Sequence, residues 1–187
     1  MELGVNRLLN YIGYFFVYSF AGFLLETLFA LFVQGEFVMR KCFLLSPLCP
    51  VYGLGAIVII SFAGPFRQHP AAVFLIGLLA ASVVEYFTDI FYREILGVTF
   101  WDYTDMPMNI NGRVCLVFSL IWGVLSLVLV RFLHPAVERA VKSAPRALLI
   151  ACLVFFCLDA VISVVLLGRY KTKSAISLSF VKKLILN

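Results

Sequence analysis

Five long apolar runs constrain this chain more than any other feature of its sequence. They cover residues 11–33, 43–63, 71–92, 114–133 and 147–168. A helix needs about 20 mostly apolar residues to cross the hydrocarbon layer of a bilayer, and these runs lack the alternation that marks a membrane β-barrel. The pattern therefore predicts an all-α, polytopic membrane bundle of about five transmembrane helices. It forms one domain over residues 1–170, followed by a basic amphipathic tail over residues 171–187.

The composition argues against a water-soluble fold. Hydrophobic residues make up 63% of the chain and charged residues only 13%, whereas soluble domains carry about 25% charged residues. The net charge of +5 is concentrated in the loops and the tail, where it indicates contact with anionic lipid rather than with nucleic acid. The lipid bilayer is therefore the predicted partner, nucleic acid is not, and homo-oligomer formation stays open.

The second apolar run begins irregularly. Between residues 46 and 55 it contains Pro47, Pro50, Gly53 and Gly55, which resist a regular helix. Irregular backbone at membrane depth survives only where it is buried in protein or lines a wet cavity. Two alternatives remain: the helix starts near the headgroups after an irregular lead, or the run is a broken, re-entrant segment.

Two segments of the chain resemble each other. Each has an acid near the end of one apolar run, an Arg-x-Cys string at the start of the next, and then an aromatic-Gly pair. The matched positions are Glu26 and Glu85, Arg40 and Arg113, Cys42 and Cys115, and Tyr52-Gly53 and Trp122-Gly123. The pattern favours two duplicated helical hairpins in parallel orientation, as in many transport folds, with chance similarity as the alternative.

Acidic residues inside the apolar runs are the leading candidates for a functional site. A charge at the bilayer centre costs about 2.5–3.5 kcal/mol on insertion scales, so each needs a partner or a role. The acids are Glu26, Glu85, Asp89 and Asp159. For Asp159 a structural role is favoured, because Ser163 lies four residues further along the same helix.

Arginines are the expected partners of these acids. Asp89 and Arg93 have a favourable order for an ion pair on a helix, whereas Glu85 and Asp89 repel at the same spacing. A guanidinium stays charged and can bind a carboxylate with two hydrogen bonds, so Arg40 and Arg113 are the natural suppliers of positive charge. Such pairs could bind a solute, an ion or a proton in a polar cavity, or they could only hold helices together.

The longest polar connection, residues 93–113, adds further candidates. Trp101 lies in a Trp-Asp-Tyr string typical of the membrane interface, and Asp102 and Asn109 suit turn or cap positions equally well. The full predicted set of solute- or ion-binding residues is Glu26, Arg40, Tyr52, Glu85, Asp89, Trp101, Asp102, Asn109 and Arg113.

The sequence lacks the motifs of several enzyme and metal-site classes. Its five cysteines form no CxxC pair and it has only two histidines, so no metal site is predicted. It contains no GxxxxGK[ST] phosphate loop, no HExxH and no GxSxG string. We therefore expect no cofactor and no ATPase activity, and we expect neither an intramembrane metalloprotease nor a serine hydrolase of common type.

A longer ordered set of strings resembles a known bacterial family. It comprises Glu26, Arg40, Ser46-Pro47-x-x-Pro50-x-Tyr52-Gly53-x-Gly55, Glu85-Tyr86, Trp101-Asp102-Tyr103, Asn109-x-x-Gly112-Arg113-x-Cys115-Leu116 and His134-Pro135. Over about residues 11–135 the chain is similar to the ABC-transporter type IV (CmpB-like) membrane proteins, often labelled ABC-transporter permeases. It departs from the family pattern at Lys41 and Ser46, where glycine is usual. The last apolar run and the tail lie outside the resemblance.

This resemblance implies a multi-pass protein of the bacterial cytoplasmic membrane with a role in transport. Because the chain has no phosphate loop, an ATP-binding subunit would have to be a separate chain. The predicted function is a transporter or permease component with a polar intramembrane site of carboxylates and arginines. Two alternatives remain open: a membrane-embedded enzyme acting on a lipid or isoprenoid-linked substrate, and an assembly or regulatory subunit.

Overall fold

The fold is a bundle of helices. The computed structural model describes residues 2–35 and 42–186. Its α-helices are α1 (Glu2–Gln34), α2 (Pro50–Ala63), α3 (Pro70–Ile90), α4 (Leu116–Val128), α5 (His134–Ser143), α6 (Arg146–Tyr170) and α7 (Leu178–Leu186). A short antiparallel ribbon, β1 (Asn109–Ile110) and β2 (Val114–Cys115), precedes α4. The predicted all-α membrane bundle is confirmed.

The described helices differ in whether they can span a bilayer. Four segments are long and apolar enough, namely Gly4–Phe32, Pro70–Ile95, Leu116–Ser143 and Arg146–Tyr170. A further apolar helix, Pro50–Phe66, is shorter than a full span. The predicted number of about five is therefore approximate. A π-helical turn, Leu129–Leu133, joins α4 to α5, so the fourth segment continues beyond the end of its apolar run.

The first four helices form two hairpins. α1 packs against α2, α3 packs against α4, and α2 also packs against α3. Pro50 and Pro70 lie in the first turns of α2 and α3, where the missing N–H of proline breaks no helical hydrogen bond. Successive helices run in opposite directions, so α1 and α3 run the same way. The connections that follow them, residues 42–49 and 96–115, therefore lie at the same end of the bundle, here called the loop face.

The irregular start of the second apolar run is fixed to its neighbours. The Asp159 carboxylate of α6 accepts hydrogen bonds from the backbone N–H groups of Leu45 and Ser46, each at 3.0 Å. A disulfide joins Cys42 to Cys49, and regular helix begins only after this segment. The structure thus has an irregular lead before a regular helix, and all residues of the 42–49 segment except Pro47 are buried or half-buried.

Glycines let the two helices of each hairpin approach closely. A Cβ atom at Gly53 would lie 2.7 Å from the backbone oxygen of Phe15, and one at Gly123 would lie 2.6 Å from the ring of Phe74. Phe15 precedes Glu26 by 11 residues, and Phe74 precedes Glu85 by the same number. The two hairpins therefore use equivalent contacts, which supports the predicted duplication.

Candidate functional site

A cavity of about 240 Å³ lies between the two hairpins at the loop face, and we call it the loop-face cavity. Helices α1 to α4, the 96–115 connection and Cys42 supply the described part of its wall. The polar and aromatic side chains that line it include Glu26, Tyr52, Glu85, Trp101, Tyr103 and Trp122. Among the lining residues within the described ranges, the charged ones are both glutamates. The described part of the wall therefore combines two acids with aromatic rings.

Glu85 of α3 is the more deeply buried of the two acids, with 5% of its surface exposed. The Tyr103 hydroxyl donates to its Oε1 at 2.9 Å, and the Trp122 indole N–H donates to its Oε2 at 3.1 Å. Burial and the neighbouring Glu85 charge raise the pKa of Tyr103, so this hydroxyl remains protonated and able to donate. Both carboxylate oxygens are thus held by neutral donors.

Glu26 of α1 has an equivalent contact in the first hairpin. The Tyr52 hydroxyl of α2 donates to its Oε1 at 2.7 Å. In each hairpin, therefore, the aromatic residue of the aromatic-Gly pair donates to the acid of the preceding helix. The two donors also meet each other, because the rings of Tyr52 and Trp122 pack edge to face with centroids 5.2 Å apart.

A second cavity of about 120 Å³ lies deeper between the same four helices. Its lining is mostly apolar and includes Tyr18, Ile59 and Leu129. Tyr52, Glu85, Trp122 and three aliphatic residues line both cavities. The Tyr52–Trp122 contact therefore forms part of the wall that the two cavities share.

Asp89, one helical turn beyond Glu85, belongs to a separate ion network. Its carboxylate is fully buried and lies 2.7 Å from Arg93 Nε and 3.2 Å from Arg113 Nε. Arg113 Nη2 also contacts Glu94 Oε1 at 2.5 Å, and Arg93 Nη2 donates to the backbone oxygen of Trp101 at 2.7 Å. The network fixes the 96–115 connection to the end of α3.

The other two predicted residues of this connection shape its turns. Asp102 Oδ1 accepts hydrogen bonds from the backbone N–H and the hydroxyl of Thr104, at 3.0 and 2.6 Å, and these bonds lower the pKa of the Asp102 carboxyl. Asn109 Oδ1 accepts from the backbone N–H of Gly112 at 2.9 Å. Gly112 has φ of +65°, the left-handed region that favours glycine.

The structure brings together only part of the predicted set. Residues that line the cavity are Glu26, Tyr52, Glu85 and Trp101. Residues that instead hold the 96–115 connection are Asp89, Asp102, Asn109 and Arg113. Arg40 lies outside the described residues. The two cavity glutamates and the ion network around Asp89 are therefore two neighbouring clusters. Trp101 links them, because it lines the cavity and its indole N–H donates to the Arg113 backbone oxygen at 3.0 Å.

Sequence reasoning missed two donors and one covalent bond. Tyr103 and Trp122 contact Glu85 directly, yet neither was in the predicted set. Trp122 could have been found, because the duplication pairs it with Tyr52. The disulfide between Cys42 and Cys49 has no comparable sequence signal. Within the described ranges no three His, Cys, Asp or Glu side chains lie together as a metal site would require.

Comparison with known proteins assigns the chain to a family. A family model described as "Putative ABC-transporter type IV" matches residues 13–164, which extends past the resemblance seen in the sequence and takes in most of α6. No curated protein and no solved structure matches. The family and the membrane-length helices together indicate a membrane protein with a transporter-like role. The chain therefore belongs to the ABC-transporter type IV family.

Proposed function

We propose that this chain is the permease component of a transporter in the bacterial cytoplasmic membrane, and that the loop-face cavity binds the transported solute. One observation carries the proposal: acids from two separate hairpins, Glu26 and Glu85, line a single cavity. Intramembrane acids that face a cavity between helices are typical of solute and ion pathways. Tyr52, Trp101, Tyr103 and Trp122 complete the proposed site.

The contrast between Glu85 and Asp89 supports this assignment. Asp89 lies against two guanidinium groups, which offset its charge and give it a structural role. Glu85 is almost as deeply buried, but tyrosine and tryptophan donors satisfy its oxygens without adding positive charge. A buried charge is costly unless it is paired. The pairing of Glu85 is therefore left to something that enters the cavity.

The second cavity suggests a route for the solute. It continues from the loop-face cavity towards the opposite end of the bundle, past Tyr52 and Trp122. Separation of these two rings would join the cavities. In transporters built from repeats, one repeat rocks against the other around the binding site. Here the equivalent motion is that of α1–α2 against α3–α4, with the aromatic contact as a gate.

The remaining predicted residues have supporting roles in this proposal. Asp89, Asp102, Asn109 and Arg113 hold the 96–115 connection over the cavity, so that Trp101 and Tyr103 face the solute. Because the sequence has no phosphate loop, ATP would be bound and hydrolysed by a separate subunit.

The proposal is tested by uptake in the bacterium that carries the gene. A deletion strain is complemented with wild type, Glu85→Gln or Glu138→Gln, and depletion of solutes from a defined mixture is followed by mass spectrometry. Glu138 is a matched control, since it pairs with Lys142 at the surface of α5, away from the cavity. We expect uptake of at least one solute to require the chain and to fall about tenfold or more in Glu85→Gln. Normal uptake by Glu85→Gln, at equal amounts in the membrane, would refute the proposed site.

A further inference from the structure

The loop-face cavity is suited in size to a small ligand. Its volume of about 240 Å³ lies just below the range of about 300–1,000 Å³ typical of pockets for drug-sized molecules. The described lining combines glutamates with aromatic rings from four helices and the 96–115 connection. The ligand should therefore be one that both carboxylates and aromatic rings can bind.

The charge on the wall favours a cation. Glu85 is 5% exposed, and within the described ranges no arginine or lysine forms an ion pair with it. Each of its oxygens accepts one hydrogen bond from a neutral donor and keeps a lone pair free. An anion would be repelled, and an uncharged ligand would leave the buried charge unpaired.

The aromatic rings favour an organic cation. Trp101, Tyr103, Phe118 and Trp122 line the cavity together with Tyr52. The face of an aromatic ring attracts an ammonium group within about 6 Å of its centroid, most strongly for tryptophan, and cages of such rings bind quaternary ammonium groups. A hard metal ion such as Ca²⁺ instead takes six to eight oxygen ligands, whereas the described lining supplies carboxylates from just two residues.

We propose that the loop-face cavity binds a small organic ammonium ion, with the Glu85 carboxylate pairing its charge and the aromatic rings covering its alkyl groups. This inference rests on the proposed function only in using the same cavity. The ammonium group could belong to a free solute or to a lipid headgroup, because both present the same chemistry.

The tryptophans make the proposal directly measurable. The chain has only two, and both Trp101 and Trp122 line this cavity, so its tryptophan fluorescence reports on the site itself. The chain in phosphatidylglycerol nanodiscs is titrated with choline and, separately, with dimethylbutanol, in which a tert-butyl group replaces the trimethylammonium head. We expect choline to change the emission saturably and the uncharged isostere to bind at least tenfold more weakly.

Matched variants assign the effect to the acid. Glu85→Gln removes the charge and keeps one acceptor oxygen, and it should weaken choline binding by about ten- to a hundredfold. Glu138→Gln should bind as wild type does. Equal responses of wild type to choline and to dimethylbutanol, or no saturable response to choline, would overturn the proposal whether or not the variants fold.

Two further comparisons identify the source of the ammonium group and show whether this inference or the proposed function fails. Weaker choline binding in phosphatidylcholine nanodiscs identifies the headgroup as the natural occupant, and unchanged binding identifies a free solute. Glu85-dependent uptake of a solute that carries no ammonium group would overturn this inference and leave the proposed function standing. Choline binding without any chain-dependent uptake would overturn the proposed function and leave this inference standing.

Discussion

Replacing Gly53 with alanine tests the close packing of the first hairpin. The added Cβ would meet the Ser19 hydroxyl and would lie 2.7 Å from both the ring and the backbone oxygen of Phe15. A side chain can rotate away, but the backbone oxygen belongs to α1 and cannot. Gly55, on the same helix, is a matched control, since its added Cβ would meet nothing within 4 Å.

The size of the effect follows from two opposing terms. Overpacking a close helix contact costs about 1–3 kcal/mol, and the fixed oxygen places Gly53→Ala in the upper part of that range. Alanine gains about 1 kcal/mol over glycine in helix propensity, which both variants share. We therefore expect Gly53→Ala to lower the free energy of unfolding by about 1–2 kcal/mol, and Gly55→Ala to raise it by up to about 1 kcal/mol.

The measurement is reversible unfolding in mixed micelles, in which the fraction of a denaturing detergent is increased. Far-ultraviolet circular dichroism follows the helices, and tryptophan emission follows the loop-face cavity. The sign of the change is the decisive result, because one chemical substitution is compared at two positions of one helix. Equal changes for Gly53→Ala and Gly55→Ala would refute the close approach of α1 and α2 at this point.

Three further predictions concern the polar contacts and the disulfide. Asp89→Asn leaves two guanidinium groups without their buried partner and should cost about 3 kcal/mol or more of unfolding free energy. Glu138→Gln, which breaks only a surface pair, should cost less than about 1 kcal/mol, and similar losses in the two variants would contradict the network. Asp159→Asn should cost about 1–3 kcal/mol by weakening the hold on the 42–49 segment, and unchanged stability would contradict that role. In unfolded, unreduced protein, alkylation followed by mass spectrometry should modify the other three cysteines, and Cys42 and Cys49 only after reduction; their modification before reduction would exclude the disulfide.

The existence of the helices could be predicted from the sequence more reliably than the residues at which they begin. Runs of apolar residues determine which segments enter the bilayer, because the cost of exposing polar backbone there is large. The start of α2 depends instead on local contacts. Residues 43–49 are as apolar as the helix that follows, yet the Asp159 carboxylate and the disulfide hold them outside regular helix. The prolines and glycines of this stretch predicted an irregular start, but Asp159 lies in a distant part of the chain, so local patterns do not reveal this partner.

The partial prediction of the site has a geometric cause. Glu85 and Asp89 lie four residues apart and share a helix face, which suggested a single site with Arg113. Four residues also advance about 6 Å along a helix. That rise is enough to place Asp89 beside the guanidinium groups of the loop face and Glu85 beside Trp122. Helical periodicity gives the direction of a side chain, but it does not give the neighbour found at each depth.

The predicted duplication explains why two acids face one cavity. Parallel repeats related by an axis along the membrane normal place equivalent residues at similar depth on either side of that axis. Glu26 and Glu85 are equivalent, and the contact of Tyr52 with Trp122 lies between them. In the second hairpin, Tyr103 of the 96–115 connection is a donor to Glu85 beside Trp122. Our proposal therefore gives the 96–115 connection, which is fixed by the Asp89 ion network and places Tyr103 against Glu85, a role in shaping the cavity as well as in stabilising the bundle.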